Sequence, residues 1–98
     1  FNNSLTEITN TTFTGQNQLR RIDLQYNNLS TIDPGSFANL PNLMYVFLDN
    51  NQLTQLDSSI FAGSNNLYRI SVTGNPNLST TNIQSLCPPA ATYCQVFY

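Results

Sequence analysis

Few side chains in this sequence can do chemistry, and their types narrow what is open. Histidine and lysine are absent from the 98 residues. A general base titrating near neutral pH is therefore missing, as is an amine nucleophile. Cys87 and Cys94 lie close together near the C-terminus, and one disulfide accounts for both. Their spacing is not the C-x-x-C of a redox pair. The sequence holds neither a G-x-S-x-G elbow nor a glycine-rich phosphate loop. Its carboxylates are Glu7, Asp23, Asp33, Asp49 and Asp57. Asp33 and Asp57 sit where a turn needs a capping residue. Asp49-Asn50-Asn51 offers oxygens of the kind calcium takes, but Asn51 is claimed by a structural repeat. The expectation is a protein without catalytic residues, bound metal or cofactor.

Charge sets the partners. Arg20, Arg21 and Arg69 against five acids give a net charge of -2. Nucleic-acid binding relies on many cations to displace condensed counterions, so no nucleic-acid partner is expected. No apolar run approaches the roughly 20 residues of a membrane helix, so direct membrane insertion is not expected either. Four N-x-S/T sequons stand at Asn2, Asn10, Asn28 and Asn77, none with proline in the middle. Together with a disulfide and the lack of lysine, they point to an extracellular, secreted glycoprotein carrying N-linked glycans.

One stretch organises everything else: Leu43-x-x-Val46-x-Leu48-x-x-Asn51-x-Leu53. Twenty-four residues earlier stands Leu19-x-x-Ile22-x-Leu24-x-x-Asn27-x-Leu29. Twenty-four later stands Leu67-x-x-Ile70-x-Val72-x-x-Asn75, with Leu78 displaced one place by Pro76. In each copy apolar and polar residues alternate over a short run, as in a strand with one buried face. The asparagine follows where the chain must turn, and its amide can satisfy backbone groups the turn leaves unpaired. In register, Asn3, Asn27, Asn51 and Asn75 would form a ladder. Phe13, Phe37 and Phe61 recur at the same interval, which predicts an aromatic spine in the core. Asp33-Pro34 reads as the start of a short helical or 3₁₀ turn.

The period divides the single domain, residues 1–98. Residues 1–18 are the second half of a repeat, so the chain is read as a mature product or a fragment. Residues 19–42, 43–66 and 67–90 are full repeats, and 91–98 is a terminal strand with a disulfide cap. Ala91, Cys94 and Val96 fall one period after Leu67, Ile70 and Val72. That spacing predicts a last strand over about 92–97 with Cys94 facing inward.

These repeats resemble the 24-residue "typical" class of extracellular leucine-rich repeats, found in receptor ectodomains and matrix proteoglycans. The segment from Ile32 through Asp33-Pro34-Gly35-Ser36-Phe37 to Leu43 is especially close to that pattern, and the likeness covers about residues 3 to 96. Two features depart from it: a cysteine-rich N-terminal cap is missing, and the C-terminal segment is not the usual four-cysteine cap. The resemblance implies an α/β solenoid of about four turns. Short parallel strands would line its concave face, and loops with short helical or 3₁₀ turns its convex side. It also implies recognition of a partner as the commonest use.

On such a sheet the outward strand positions stack into columns. The expected columns are Arg21, Tyr45, Arg69, Tyr93; then Asp23, Phe47, Ser71, Gln95; then Gln25, Asp49, Thr73, Phe97. The first alternates cation and aromatic, which permits cation–π stacking between neighbours. A solvated strand has little reason to present Phe47, and Tyr, Phe and Arg are enriched at binding hot spots. The favoured expectation is a protein or glycan ligand held on the concave face by Arg21, Asp23, Tyr45, Phe47, Asp49, Arg69, Ser71 and Tyr93. The alternative is a structural subunit of an extracellular assembly. It would bind itself head to tail, because open termini would expose core and unpaired strand edges.

Overall fold

A computed structural model describes residues 5–98; the sequon at Asn2 and the ladder position Asn3 lie outside the described residues. Among the described residues six short strands appear in chain order: β1 (Glu7–Ile8), β2 (Arg21–Asp23), β3 (Thr31–Ile32), β4 (Tyr45–Phe47), β5 (Arg69–Ser71) and β6 (Gln95–Phe97). β2, β4, β5 and β6 form one parallel sheet in that order, and β1 pairs with β3 in a second. The central residues Ile22, Val46, Ile70 and Val96 face inward, as the alternating pattern requires. The second sheet was not foreseen. Its only sequence sign is Ile8 matching Ile32, which pair directly.

Register confirms the period across three strands and breaks it at the fourth. Arg21 pairs with Tyr45, and Tyr45 with Arg69, each step one full period. Arg69 then pairs with Gln95, and Ile70 with Val96. The expected match of Ile70 to Cys94 and Val72 to Val96 is therefore corrected: the last turn is two residues longer. One extra residue enters at Asn75-Pro76-Asn77. The backbone bond of Ser79 to Thr54 already reaches one position further along the chain than that of Ser30 to Thr6. The other enters between Ser79 and β6, a segment holding the 3₁₀ turn Ile83–Leu86 and Cys87-Pro88-Pro89. The strand itself covers 95–97 rather than 92–97.

The core is a column of aliphatic residues crossed by the aromatic spine. Phe37 and Phe61 are fully buried and stack at 5.3 Å, while half-buried Phe13 meets Phe37 at 5.6 Å. Asn27, Asn51 and Asn75 are buried as the ladder predicts. Asn51 Nδ2 donates to the carbonyls of Leu24 (2.9 Å) and Leu48 (3.0 Å), and its Oδ1 accepts Leu29 N–H (3.1 Å). Asn75 repeats this with Leu48, Val72 and Leu53. One further bridge went unread in the sequence. Ser64, fully buried, donates its hydroxyl to Phe37 O and accepts Leu40 N–H, tying adjacent turns together.

The turns settle the capping expectations differently. Asp57 Oδ1 accepts both the N–H (2.8 Å) and the hydroxyl (2.6 Å) of Ser59, which hold its carboxyl below the usual range. At Asp33 it is the backbone carbonyl that accepts, from Ser36 Oγ at 2.7 Å. Residues 34–39 form a turn rather than a helix. Asn50 lies at φ 59 and packs its amide against Gly74, at φ 72, where any Cβ would strike Asn50 Oδ1. A side chain at Gly74 would thus be both strained and blocked.

The Cys87–Cys94 disulfide is present, with Cα atoms 5.7 Å apart and Cys94 buried. It closes a short loop, so the chain-entropy estimate of its contribution is about 2.5 kcal/mol. Cys94→Ser should lower unfolding free energy by about that amount in a urea titration. An unchanged midpoint would mean the bridge adds no stability.

Candidate functional site

The four-stranded sheet carries six of the eight predicted side chains, with Asp49 following β4 and Tyr93 preceding β6. Each strand offers two outward positions: Arg21 and Asp23, Tyr45 and Phe47, Arg69 and Ser71, Gln95 and Phe97. The two-residue shift of β6 changes the columns. Gln95, not Tyr93, completes the Arg21–Tyr45–Arg69 row, and Phe97 joins Asp23, Phe47 and Ser71. Tyr93 precedes the strand, on the rim, where it is 77% exposed.

The cation–π pairing is real but uses other rings than the first column supplied. Arg21 Cζ lies 4.7 Å from the Phe47 ring centre, and Arg69 Cζ 4.1 Å from that of Phe97. Each arginine reaches diagonally to the phenylalanine of the next strand, two positions on. Tyr45 instead meets Tyr68 edge-on at 6.1 Å. The two guanidinium groups differ in charge balance. Arg21 Nε donates to both carboxylate oxygens of Asp23 at 2.9 Å. Arg69 has no carboxylate partner among the described residues. Phe47 is half-buried beneath this arrangement rather than freely exposed.

Asp49 and Ser71 are turned toward each other. Asp49 Oδ2 accepts Ser71 Oγ (2.5 Å), Thr73 Oγ1 (2.5 Å) and Thr73 N–H (3.1 Å). Ser71 is buried, so its hydroxyl is spent on this contact. The network also occupies one oxygen of the Asp49-Asn50-Asn51 trio, and Leu29 N–H occupies Asn51 Oδ1. Among the described residues, no cluster of three or more His, Cys, Asp or Glu is placed to hold a metal.

A parallel sheet of turns, the first three strands stepping at one period and the turns linked through buried asparagines, defines a repeat protein in which each turn contacts its neighbours. The Leucine rich repeat family profile matches residues 1–53, and the chain belongs to that family. A 50-residue stretch is 46% identical to Toll-like receptor 3 of Homo sapiens. That stretch covers 49% of this chain and 6% of the receptor, so the chain spans a small part of its curated relative. Among the described residues no helix is long and apolar enough to cross a membrane.

Proposed function

We propose that this chain is a non-catalytic, extracellular recognition segment, a short solenoid whose concave sheet binds a partner protein. The observation that carries the reading is Arg69, stacked over Phe97 and without a carboxylate partner among the described residues. One flank of its guanidinium is held by the ring, which leaves its donors to a carboxylate on the partner. Tyr45 and Phe47 lie beside it as aromatic contact area, and Arg21 repeats the geometry with its charge already balanced. Two findings support the setting: a relative named as a receptor, and a disulfide at the C-terminal turn. The sequon asparagines Asn10, Asn28 and Asn77 are all exposed, and we assign them N-linked glycans.

The test begins with secretion from a mammalian cell line, where enzymatic deglycosylation should lower the intact mass. The secreted protein is then screened against a panel of purified extracellular domains. Binders should weaken about tenfold or more with Arg69→Glu or Phe47→Ala, while Gln55→Ala on the return segment leaves them unchanged. Binding that ignores both sheet substitutions would place recognition elsewhere.

A further inference from the structure

Next to the sheet face, at the rim preceding β5 and β6, two exposed tyrosines stand apart from that reading. Tyr68 is 53% exposed and Tyr93 77%. They line two adjoining hollows of about 420 and 340 Å³, both within the size range of small-ligand sites. Among the described residues no charged side chain lines either hollow. Gln84 aside, the remaining polar lining is neutral amide and hydroxyl: Thr92 and Gln95 in one, Asn65, Asn66 and Thr92 in the other. None of these four side chains makes a hydrogen bond among the described residues, so their donors and acceptors are free.

We propose that the rim between Tyr68 and Tyr93 binds a neutral oligosaccharide. A pyranose ring has an apolar C–H face and a girdle of hydroxyls. The two tyrosine faces suit the former, since an aromatic ring combines a large apolar surface with a polar tip. The unspent amides of Asn65, Asn66 and Gln95 suit the latter, each offering both donor and acceptor. An anionic sugar would find no cation in the lining. A peptide adding as a strand beside Tyr68 would find that backbone taken, because Tyr68 N–H donates to Met44 O and Tyr68 O accepts Gln95 N–H.

The site is held in shape from behind. Tyr93 precedes Cys94, which the disulfide ties to Cys87. Gln84 donates to Cys94 O (3.1 Å) and accepts Val96 N–H (3.2 Å), clamping the segment that presents Tyr93. Tyr68 is steadied by its edge contact with Tyr45. The rim adjoins the sheet face through Gln95 and the Tyr45–Tyr68 contact, but neither Arg69 nor Phe47 lines its hollows, so substitutions there separate the two readings.

Saturation-transfer NMR and calorimetry with triacetylchitotriose, mannotriose and maltotriose test it. At least one trisaccharide should bind at millimolar concentration or below, with transfer to its ring C–H protons. Tyr68→Ala and Tyr93→Ala should each weaken it about tenfold or more, and Tyr98→Ala should not. Both rim tyrosines are exposed, and the thermal midpoint of each variant checks that folding is intact. Absence of binding by all three sugars overturns the proposal, as does binding indifferent to both rim substitutions. Binding of a sulfated trisaccharide alone overturns the neutral class.

Discussion

Phe37→Ala should lower the unfolding free energy by about 4 kcal/mol, the usual range for removing a buried phenylalanine. Phe37 has no exposed surface and stacks between Phe13 and Phe61. Its loss would remove the middle ring of the spine and open a cavity that both neighbours line. The backbone around it is pinned, with Phe37 N–H on Ile60 O and Phe37 O on Ser64 Oγ, so the site cannot collapse freely. A chain of this size commonly has about 5–15 kcal/mol in total, so a large share of the margin would go. The thermal midpoint should fall by about 20 °C, given roughly 4–8 °C per kcal/mol for small domains. Phe13→Ala should cost much less, because that ring is only half-buried and has one stacking partner among the described residues. Equal losses at the two positions, in calorimetric melts, would show that the spine does not carry the core.

The features legible in the sequence were those that repeat. Ile22, Val46 and Ile70 recur at one spacing because each faces the same core, and the strands followed from them. Asn51 could be assigned to a ladder because Asn27 and Asn75 stand in its register. What did not repeat was missed. The final strand slipped two residues because Asn75-Pro76-Asn77 adds one and the segment after Ser79 adds another. Either addition is tolerable in a loop, and nothing in the local pattern of Cys94-Gln95-Val96 reveals the sum. That slip moved Tyr93 out of the arginine column and put Phe97 under Arg69. Ser64 was invisible for a different reason. A buried serine bridging two backbones has the same one-letter appearance as a solvated one, and no partner copy recurs at its spacing. Phe47 read as an exposed anomaly because the diagonal reach of Arg21 is a three-dimensional fact.

Asn51→Ala should destabilise the protein by about 4 kcal/mol, because three hydrogen bonds to buried backbone are lost at once and Leu29 N–H is left without an acceptor. Leu24 O and Leu48 O each lose one of two amide donors, keeping those of Asn27 and Asn75, whereas Leu29 N–H loses its acceptor outright. The substitution therefore cuts a link between turns as well as a local cap. Position in the stack predicts a gradient. Asn75→Ala should match it, since Asn75 serves Leu48, Val72 and Leu53 in the same way. Asn27→Ala should cost less: among the described residues its amide bonds only Leu24 and Gln25 of its own turn, and its Oδ1 is unpartnered. The neighbour Asn50 separates side-chain loss from backbone strain. At φ 59, Asn50→Ala should cost about 1 kcal/mol from the left-handed backbone, while Asn50→Gly should be close to neutral. Urea titration orders the four positions, and amide hydrogen exchange locates the damage. In Asn51→Ala the Leu29 amide should exchange faster than global unfolding allows, since Asn51 Oδ1 is the acceptor it loses. If Leu29 instead keeps its protection while stability falls, the loss comes from packing, and the ladder is not what couples the turns.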